Sequence, residues 1–356
     1  MISNPQPGLD RFADTVVQWQ RQSGRHGLPW QGSRDPYRIW LSEIMLQQTQ
    51  VSTVIGYYER FLQRFPTVQA LAQATQDEVM PYWAGLGYYA RARNLHRCAI
   101  EVCSRWQGVF PPDANDIMQL PGIGRSTAAA IAAFAYGRRS PIMDGNVKRV
   151  FTRYFGIFGD PAARATENVL WDTAQAVLDA APSDLDMTAY TQGLMDLGSG
   201  LCGRGKPDCG ACPLATHCYA RLESRQAELP APKKKKQSGQ RQCAMLILQR
   251  GDSILLEQRP SPGIWGGLWS LPQYDDADSL RAACSGMGVA ALHENKMAGL
   301  QHVFSHFKLH IEPWHVVTDS PAMAEPRAGQ AWIDVNELAA TALPAPVRKI
   351  LAGVFG

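Results

Sequence analysis

The stretch Leu120-Pro121-Gly122-Ile123-Gly124-Arg125-Ser126-Thr127 lies between two segments whose apolar residues recur at helical spacing. Because glycine adopts backbone conformations that other residues avoid, Gly122 and Gly124 predict a tight turn between two helices. The backbone N–H groups at the start of the second helix then point outward, where they can bind a phosphate. An ordinary turn between packed helices is the alternative, but the polar pair Arg125-Ser126 after the glycines favours a phosphate site.

A second informative stretch carries four cysteines at the spacing C-x6-C-x2-C-x5-C, and they are Cys202, Cys209, Cys212 and Cys218. The glycines between them let the backbone wrap around a metal centre that all four thiolates reach. Such a set can bind either a 4Fe-4S cluster or a structural zinc ion. Zinc ribbons usually present two close pairs of cysteines, so the spacing favours the iron–sulfur cluster.

Length and residue pattern together predict two domains joined by a linker. Apolar residues recur at helical spacing from Leu9 onward, so residues 1–225 predict a mainly α domain that ends with the cysteine loop. Residues 226–241 are rich in proline and lysine, which is typical of a linker, and residues 242–356 predict an α/β domain. In that domain the predicted strands are residues 243–248, 254–256, 307–317 and 331–333, and the predicted helices are residues 277–287 and 345–352.

The bulk composition is that of a globular protein rather than a membrane protein. Hydrophobic residues make up 45% of the 356 residues, and no stretch approaches the roughly 20 apolar residues of a membrane-spanning helix. The N-terminal residues also lack the features of a secretory signal. A net charge of +3 permits binding to nucleic acid without requiring it. We therefore expect a cytoplasmic, nucleoid-associated monomer without a membrane partner.

Two carboxylates stand in positions that suggest chemistry. Asp144 precedes a predicted helix, where an aspartate can cap the helix, act in catalysis, or do both. Glu43 is followed by the apolar residues Ile44, Met45 and Leu46. An exposed helix carboxylate is the alternative for Glu43, but an apolar setting would remove it from water and raise its pKa. A positive helix end would keep Asp144 ionised.

The order of these motifs resembles a known superfamily. A helix-hairpin-helix, then a Gly/Pro loop with Asp144, then a four-cysteine loop is similar to the base-excision DNA glycosylases of the endonuclease III superfamily, over about residues 9–225. Residues 28–30, 43–51 and 85–93 resemble the MutY-type adenine DNA glycosylases within it. The resemblance implies a 4Fe-4S cluster on the four cysteines. It also implies a substrate of double-stranded DNA that contains adenine opposite 8-oxoguanine or guanine.

The resemblance also implies roles for single residues. Glu43 is the general acid that protonates the leaving adenine, Asp144 stabilises the oxocarbenium-like sugar or briefly bonds to it, and Asn146 orients this pair. Trp30 and Gln192 form walls of the adenine pocket. Because a base in duplex DNA must be flipped out to react, other residues have to contact the opposite base and fill the gap. Those implied are Gln48, Thr49, Leu86 and Tyr88, with Tyr88 as the intercalating wedge.

The hairpin residues Gly122, Gly124 and Ser126 are implied to contact the DNA backbone. Relatives that also cut the backbone carry a lysine just after the hairpin, whose amine forms a Schiff base with the sugar. This chain has Ser126 there, which predicts base excision without strand cleavage. Two alternatives stay open: a glycosylase with lyase activity on oxidised pyrimidines, and a non-catalytic iron–sulfur protein that binds DNA.

The C-terminal region resembles a Nudix fold that recognises 8-oxoguanine nucleotides, on residues 255–260 and 263–269. Nudix hydrolases hold Mg²⁺ with glutamates on one helix, but residues 280–286 read Leu-Arg-Ala-Ala-Cys-Ser-Gly, which argues against that activity. The segment Phe304-Ser305-His306-Phe307 is similar to the family's recognition segment, so Ser305 and His306 are implied to contact 8-oxoguanine. The alternative for this pair is a simple turn.

Overall fold

A computed structural model of the chain describes residues 9–232, 239–260, 263–304, 306–319 and 326–356. The described residues form two compact units. Residues up to 73 and from 94 to 232 belong to the first unit, and residues 74–93 belong to the second unit with those from 239 onward. The predicted boundaries at residues 225 and 242 stay a prediction. The four lysines at positions 233–236 of the predicted linker lie outside the described residues.

The described residues between 9 and 225 are mainly α-helical, as the spacing of apolar residues predicted. The helices are α1 (Leu9–Ser23), α2 (Pro36–Leu46), α3 (Val51–Arg64), α4 (Val68–Gln73), α5 (Gln76–Trp83), α6 (Ala90–Trp106), α7 (Ala114–Met118), α8 (Arg125–Tyr136), α9 (Gly145–Phe155), α10 (Arg164–Ala180), α11 (Met187–Ser199) and α12 (Tyr219–Leu222). Across the described ranges, none of the helices has both the length and the apolar character needed to cross a bilayer.

The core of the first unit fixes α9 and α11, which carry predicted site residues. Phe12 of α1 is buried and meets Phe151 and Tyr154 of α9, with ring centroids 5.4 and 4.7 Å away. Burial of a phenylalanine stabilises a fold by about 1.5–3 kcal/mol. A Cβ at Gly193 of α11 would lie 2.7 Å from Cγ1 of Val16, so only glycine allows α1 and α11 to pack this closely. Together these contacts fix the positions of both helices.

The part of the second unit from residue 239 onward contains a mixed β-sheet and two α-helices. Its strands are β1 (Gly239–Arg250), β2 (Ser253–Gln258), β3 (Trp269–Ser270), β4 (Gln273–Tyr274), β5 (Ala291–Lys296), β6 (Leu300–Val303), β7 (Phe307–Thr318) and β8 (Gln330–Asp334), and its C-terminal helices are α13 (Ala277–Gly286) and α14 (Ala345–Phe355). The main strand order is β3-β2-β1-β7-β5, with β4 on β1, β6 on β7 and β8 on β2. All the predicted strands and helices of this region are present.

Strands β1 and β7 form the centre of the sheet. They run parallel, in a register that extends from Gly239 opposite Phe307 to Gln249 opposite Val317. Every residue from Cys243 to Leu248 is buried, which explains why this strand is continuously apolar instead of alternating. Strand β5 carries the sequence Ala-Leu-His-Glu-Asn-Lys and was not predicted, since it has no regular alternation and pairs with β7 through long-range contacts.

Residues 74–93 form part of the second unit although they lie within the helical part of the sequence. Helix α5 begins with a capping box in which Thr75 and Glu78 bond reciprocally. Its Asp77 accepts a hydrogen bond from Nε2 of Gln258 at 3.1 Å. Nη1 of Arg93 donates to the carbonyl oxygen of Gly266 at 2.6 Å. Specific polar contacts therefore hold this segment in the sheet unit.

Candidate active site

A cavity of about 650 Å³ opens in the first unit. Its lining includes Trp30, Glu43 and Gln192, three of the residues selected from the sequence, together with Arg25 and His26. Small-molecule pockets occupy about 300–1,000 Å³, so the cavity has the size of a ligand site. Trp30 is buried and contacts Tyr58 edge-on, with ring centroids 5.4 Å apart. The wall that Trp30 forms is thus rigidly held.

Helix α2 carries Glu43 to this cavity. Asp35 caps the helix by accepting a backbone N–H of its first turn. Ile39, Glu43 and Leu46 are spaced four and three residues apart, so they share one helix face, and all three line the cavity. Glu43 therefore reaches the cavity between two apolar residues of the same helix face.

Burial raises the pKa of Glu43 to about 8, and the negative charge of Asp144 adds to this increase. The direction agrees with the one expected from the apolar neighbours of Glu43 in sequence. At pH 7 most of the Glu43 side chains are protonated, which is the state that a general acid requires.

Asp144 caps α9. Its Oδ1 accepts the backbone N–H groups of Asn146 at 2.9 Å and Val147 at 2.7 Å. Burial raises the pKa of Asp144, and it outweighs the lowering by these two N–H groups and by the charge of Arg149. The described residues that line the cavity include Glu43 and not Asp144, but Asp144 is near enough for its charge to act on Glu43. Its role as a helix cap is thus observed, and its catalytic role stays a prediction.

Asn146 lies where α9 and α11 approach each other. A Cβ at Gly198 of α11 would lie 2.6 Å from Cβ of Asn146. Oδ1 of Asn146 accepts a hydrogen bond from Nη2 of Arg149 at 3.0 Å. Arg149 also donates through Nε to the carbonyl oxygen of Cys202 at 2.7 Å, and through Nη2 to the carbonyl oxygen of Gly198. Asn146 is therefore held close to Asp144 and is connected to the cysteine loop.

The predicted hairpin joins α7 to α8. Gly122 has a φ of +78°, and a Cβ there would lie 2.6 Å from Cβ of Asn94, so both the backbone and the packing require glycine. Gly124 is the N-cap of α8 and provides no side-chain cap, and Ser126 lies in the first turn. The guanidinium group of Arg125 stacks on Trp171 at 3.9 Å. The predicted tight turn is confirmed, and the helix start carries no capping side chain.

The four cysteines of the loop are all partly buried. Burial raises the pKa of the Cys212 thiol, and the charges of Cys202, Cys218 and Cys209 add to it. The other three cysteines of the loop therefore each act electrostatically on Cys212. Among the residues that the structure describes, no three His, Cys, Asp or Glu side chains are arranged to hold a single metal ion.

Gln48 and Thr49 lie between α2 and α3. Gln48 is exposed and has a φ of +58°, a left-handed conformation that is strained for a residue with a side chain. The hydroxyl of Thr49 donates to the carbonyl oxygen of Gln47 at 3.4 Å. Backbone strain of this kind is concentrated at functional sites.

In the second unit, Tyr88 also adopts a left-handed conformation, with a φ of +49°, and its side chain is 48% exposed. Nη2 of Arg91 donates to the carbonyl oxygens of Leu86 at 3.2 Å and Gly87 at 3.3 Å. Its guanidinium group lies 5.5 Å from the centre of the Tyr88 ring. Leu86 is only 6% exposed, so its side chain packs within the unit, and its predicted contact with DNA stays a prediction.

Residues 304–307 connect β6 to β7. The backbone N–H of Phe304 donates to the carbonyl oxygen of Phe307 at 2.9 Å, and the two rings stack with centroids 4.5 Å apart. His306 is exposed and contacts Phe307 edge-on at 4.9 Å. Ser305 lies outside the described residues. The exposed His306 presents its imidazole to solvent, and its contact with 8-oxoguanine stays a prediction.

Comparisons with known proteins agree with this architecture. A model of the HhH-GPD superfamily of base excision DNA repair proteins matches residues 41–176, and a NUDIX domain model matches residues 243–353. A protein of Buchnera aphidicola subsp. Baizongia pistaciae named adenine DNA glycosylase is 34% identical, over 96% of this chain and 96% of its own length. The human protein of the same name is 31% identical, over 95% of this chain and 73% of its own length. This chain belongs to the adenine DNA glycosylase family.

The solved structure of a thermostable thymine-DNA glycosylase is 27% identical to this member of the adenine DNA glycosylase family, with a TM-score of 0.53. It covers 60% of this chain, and the match spans 97% of the solved chain. These findings confirm both resemblances drawn from the sequence: the helical glycosylase region and the Nudix-like C-terminal region.

Two charged residues beside the cavity of this adenine DNA glycosylase family member were not selected from the sequence. Asp196 of α11 and Arg25 form an ion pair of 2.6 Å. They are 171 residues apart, so their pairing could not be read from the chain. One local signal was available, because Gln192 and Asp196 are four residues apart and therefore share a face of α11.

Proposed function

We propose that the chain is a monofunctional DNA glycosylase that removes adenine mispaired with 8-oxoguanine or with guanine in double-stranded DNA. The observation that carries this proposal is Glu43, which lines a cavity of about 650 Å³ and whose pKa burial raises to about 8. Membership of the adenine DNA glycosylase family indicates that the base removed is adenine. The protein acts as a monomer in the cytoplasm, at the nucleoid.

The reaction requires an extruded adenine in the cavity. As the bond between the base and C1′ of deoxyribose breaks, its electron pair moves to adenine, and the Glu43 carboxyl gives its proton to a ring nitrogen of the base. The sugar becomes cationic, and the carboxylate of Asp144 stabilises this charge. Water then adds to C1′ and loses a proton, which leaves an abasic site and free adenine.

The surroundings of Asp144 support this division of labour. Its Oδ1 is fixed by two backbone N–H groups, so the carboxylate is oriented before the substrate arrives. Asn146 is the next residue but one and is itself fixed by Arg149. Trp30 and Gln192 provide the walls against which the base is held. The site is therefore preorganised.

In this proposal Tyr88 is the intercalating wedge, and Gln48, Thr49 and Leu86 are further contacts to the DNA. Gln48 and Tyr88 each hold a left-handed backbone conformation that costs about 1–3 kcal/mol. An exposed aromatic ring such as that of Tyr88 can stack in the gap that the extruded base leaves. The first turn of α8, with Gly122, Gly124 and Ser126, binds the DNA backbone through its N–H groups.

The four cysteines hold a 4Fe-4S cluster in this proposal. The cysteine spacing supports the cluster, because zinc ribbons usually present two close pairs of cysteines and this chain has the spacing C-x6-C-x2-C-x5-C. When bound, the cluster ties the loop from Cys202 to Cys218 together.

Recognition of the oxidised base is assigned to Ser305 and His306. His306 is exposed in the turn before β7, where its imidazole can donate to or accept from a base. His306→Ala should reduce the preference for A opposite 8-oxoguanine over A opposite guanine. The matched control is His293→Ala, another exposed histidine of the same unit, which should leave the preference unchanged. Equal preferences in wild type and His306→Ala remove this assignment.

The overall test uses end-labelled duplexes that contain A opposite 8-oxoguanine, incubated with the protein and then treated with alkali. Cleavage at adenine only after alkali supports a monofunctional glycosylase. Cleavage without alkali, or covalent trapping by borohydride, identifies a glycosylase with lyase activity and contradicts the role of Ser126. Binding without any cleavage identifies a non-catalytic DNA-binding protein.

A further inference from the structure

Asp196 lies one helical turn after Gln192 on α11 and is only 4% exposed. Its Oδ2 accepts the backbone N–H of Arg25 at 2.8 Å, and its Oδ1 accepts Nε of Arg25 at 2.7 Å. The same Oδ1 accepts Nε2 of Gln192 at 2.9 Å. A buried carboxylate thus joins the loop that begins at Arg25 to an amide that lines the cavity.

This contact determines which way the Gln192 amide faces. The oxygen and nitrogen of a glutamine amide have nearly the same shape, so the hydrogen-bond partner decides the orientation. An ionised carboxylate only accepts hydrogen bonds, so Gln192 must turn its NH₂ group toward Asp196. Its Oε1 is then turned away from Asp196 and is the group that Gln192 can offer to a base in the cavity.

Arg25 keeps this arrangement from relaxing. Its guanidinium group pairs with Oδ1 of Asp196 at 2.6 Å and donates to the hydroxyl of Ser199 at 3.0 Å. Together with the backbone N–H, these bonds fix the Asp196 carboxylate from several sides. Removal of the negative charge would therefore release both the loop and the amide of Gln192.

We propose that Asp196 is a positioning residue that orients the Gln192 amide so that the pocket selects a purine with an amino group at carbon 6. Adenine carries a hydrogen-bond donor there, whereas hypoxanthine and guanine carry a carbonyl acceptor. A hydrogen-bond acceptor in the pocket binds the amino group of adenine and repels the carbonyl oxygen of hypoxanthine or guanine. This inference rests on the proposed function, because it concerns the base that enters the same cavity.

The Asp196→Asn variant keeps the shape of the side chain at position 196, but removes its charge and gives it a hydrogen-bond donor. The asparagine amide can donate to Oε1 of Gln192, so the Gln192 amide is able to rotate and present its NH₂ group to the cavity. The pocket then accepts the carbonyl of hypoxanthine. A site built to bond one substrate group rejects an analogue without it, and loss of that preference should lower the ratio of adenine to hypoxanthine excision about tenfold or more.

The experiment measures single-turnover excision of adenine, hypoxanthine and unsubstituted purine, each opposite 8-oxoguanine in the same duplex. The proteins are wild type, Asp196→Asn, Gln192→Met and the double variant. Purine has no group at carbon 6, so its rate reports only loosening of the loop. We expect Asp196→Asn to change the adenine-to-hypoxanthine ratio more than the purine rate, and to leave the ratio unchanged when Gln192 is already methionine.

The inference is overturned if Asp196→Asn slows all three bases equally, or if it changes the ratio to the same extent in the Gln192→Met background. If Asp196→Asn does not fold, as thermal unfolding will show, Gln192→Met alone decides: it must lower the ratio, and an unchanged ratio rejects the inference. Wild-type protein that removes no adenine rejects the proposed function instead, so the two failures are distinguishable.

Discussion

The hydroxyl of Ser126 accepts the backbone N–H of Met143 at 3.0 Å. Met143 directly precedes Asp144, so the first turn of α8 holds the loop in which Asp144 caps α9. Ser126, which the resemblance puts in place of a lysine of strand-cutting glycosylases, thus fixes the segment that carries Asp144.

Ser126→Ala should weaken that loop. Loss of one hydrogen bond costs about 0.5–1.5 kcal/mol, which urea denaturation can measure, and excision should slow because Asp144 is less well fixed. Ser126→Thr keeps a hydroxyl and serves as the control. Equal stability and equal rates for the alanine and threonine variants would contradict a positioning role for the hydroxyl.

The pH dependence of excision should report Glu43. The general acid must be protonated, and its pKa is about 8, so the single-turnover rate should fall as the pH rises through about 8. Glu43→Gln cannot donate the proton and should abolish excision at every pH while DNA binding persists. A wild-type rate that stays constant between pH 7 and 9.5 would exclude Glu43 as the proton donor.

The Glu43 carboxyl should also make the free energy of unfolding depend on pH. A carboxyl whose pKa is about 8 in the folded protein and 4.5 in the unfolded chain binds more protons when folded, so the free energy of unfolding falls as the pH rises from about 4.5 to 8. Because glutamine does not ionise, the Glu43→Gln variant should not lose stability in this way. At pH 8.5 its free energy of unfolding should exceed that of the wild type by an amount on the order of a few kcal/mol. Parallel stability curves for both proteins would show that Glu43 is not buried as described.

The Asp144→Asn variant should distinguish the helix-capping role of Asp144 from the role of its negative charge in excision. Asparagine can still accept the N–H groups of Asn146 and Val147, so stability should change little, but excision should be lost with the negative charge. Asp144→Ala loses both functions and should also cost about 1 kcal/mol of stability. Active Asp144→Asn protein would limit Asp144 to the role of a helix cap.

Alanine substitutions at Gly122 and Gly124 should have different effects: the first should lower stability, and the second should lower DNA affinity. Gly122→Ala places a Cβ at a φ of +78° and 2.6 Å from Cβ of Asn94, which should cost about 1–3 kcal/mol of stability. Gly124 has a φ of −90° and a Cβ there meets open space, so Gly124→Ala should fold nearly normally. If a phosphate approaches this backbone, Gly124→Ala still weakens DNA binding about tenfold, irrespective of sequence. Undiminished affinity would place the phosphate elsewhere.

Much of the fold could be read from the sequence because its signals are local. The helices α1–α6 and α8–α11 lie in segments whose apolar residues recur at helical spacing, and β1 is a continuous apolar run. Strand β5 was missed because its polar residues form a strand only by pairing with β7. The Arg25–Asp196 pair was missed for the same reason, since it joins residues that only the tertiary fold brings together. The membership of residues 74–93 in the sheet unit likewise depends on distant partners such as Gly266.

The two units of the protein cannot be separated by a single cut in the chain. Because α5 and the stretch that bears Tyr88 are part of the sheet unit, a protease that cuts only near residue 235 cannot release that unit intact. A fragment that begins at the first strand of the sheet would lack the partners of Gln258 and Gly266, and would expose the surface they cover. Fragments meant to isolate 8-oxoguanine recognition should therefore retain the helical region, and substitutions near Gly266 should be examined for effects on base extrusion.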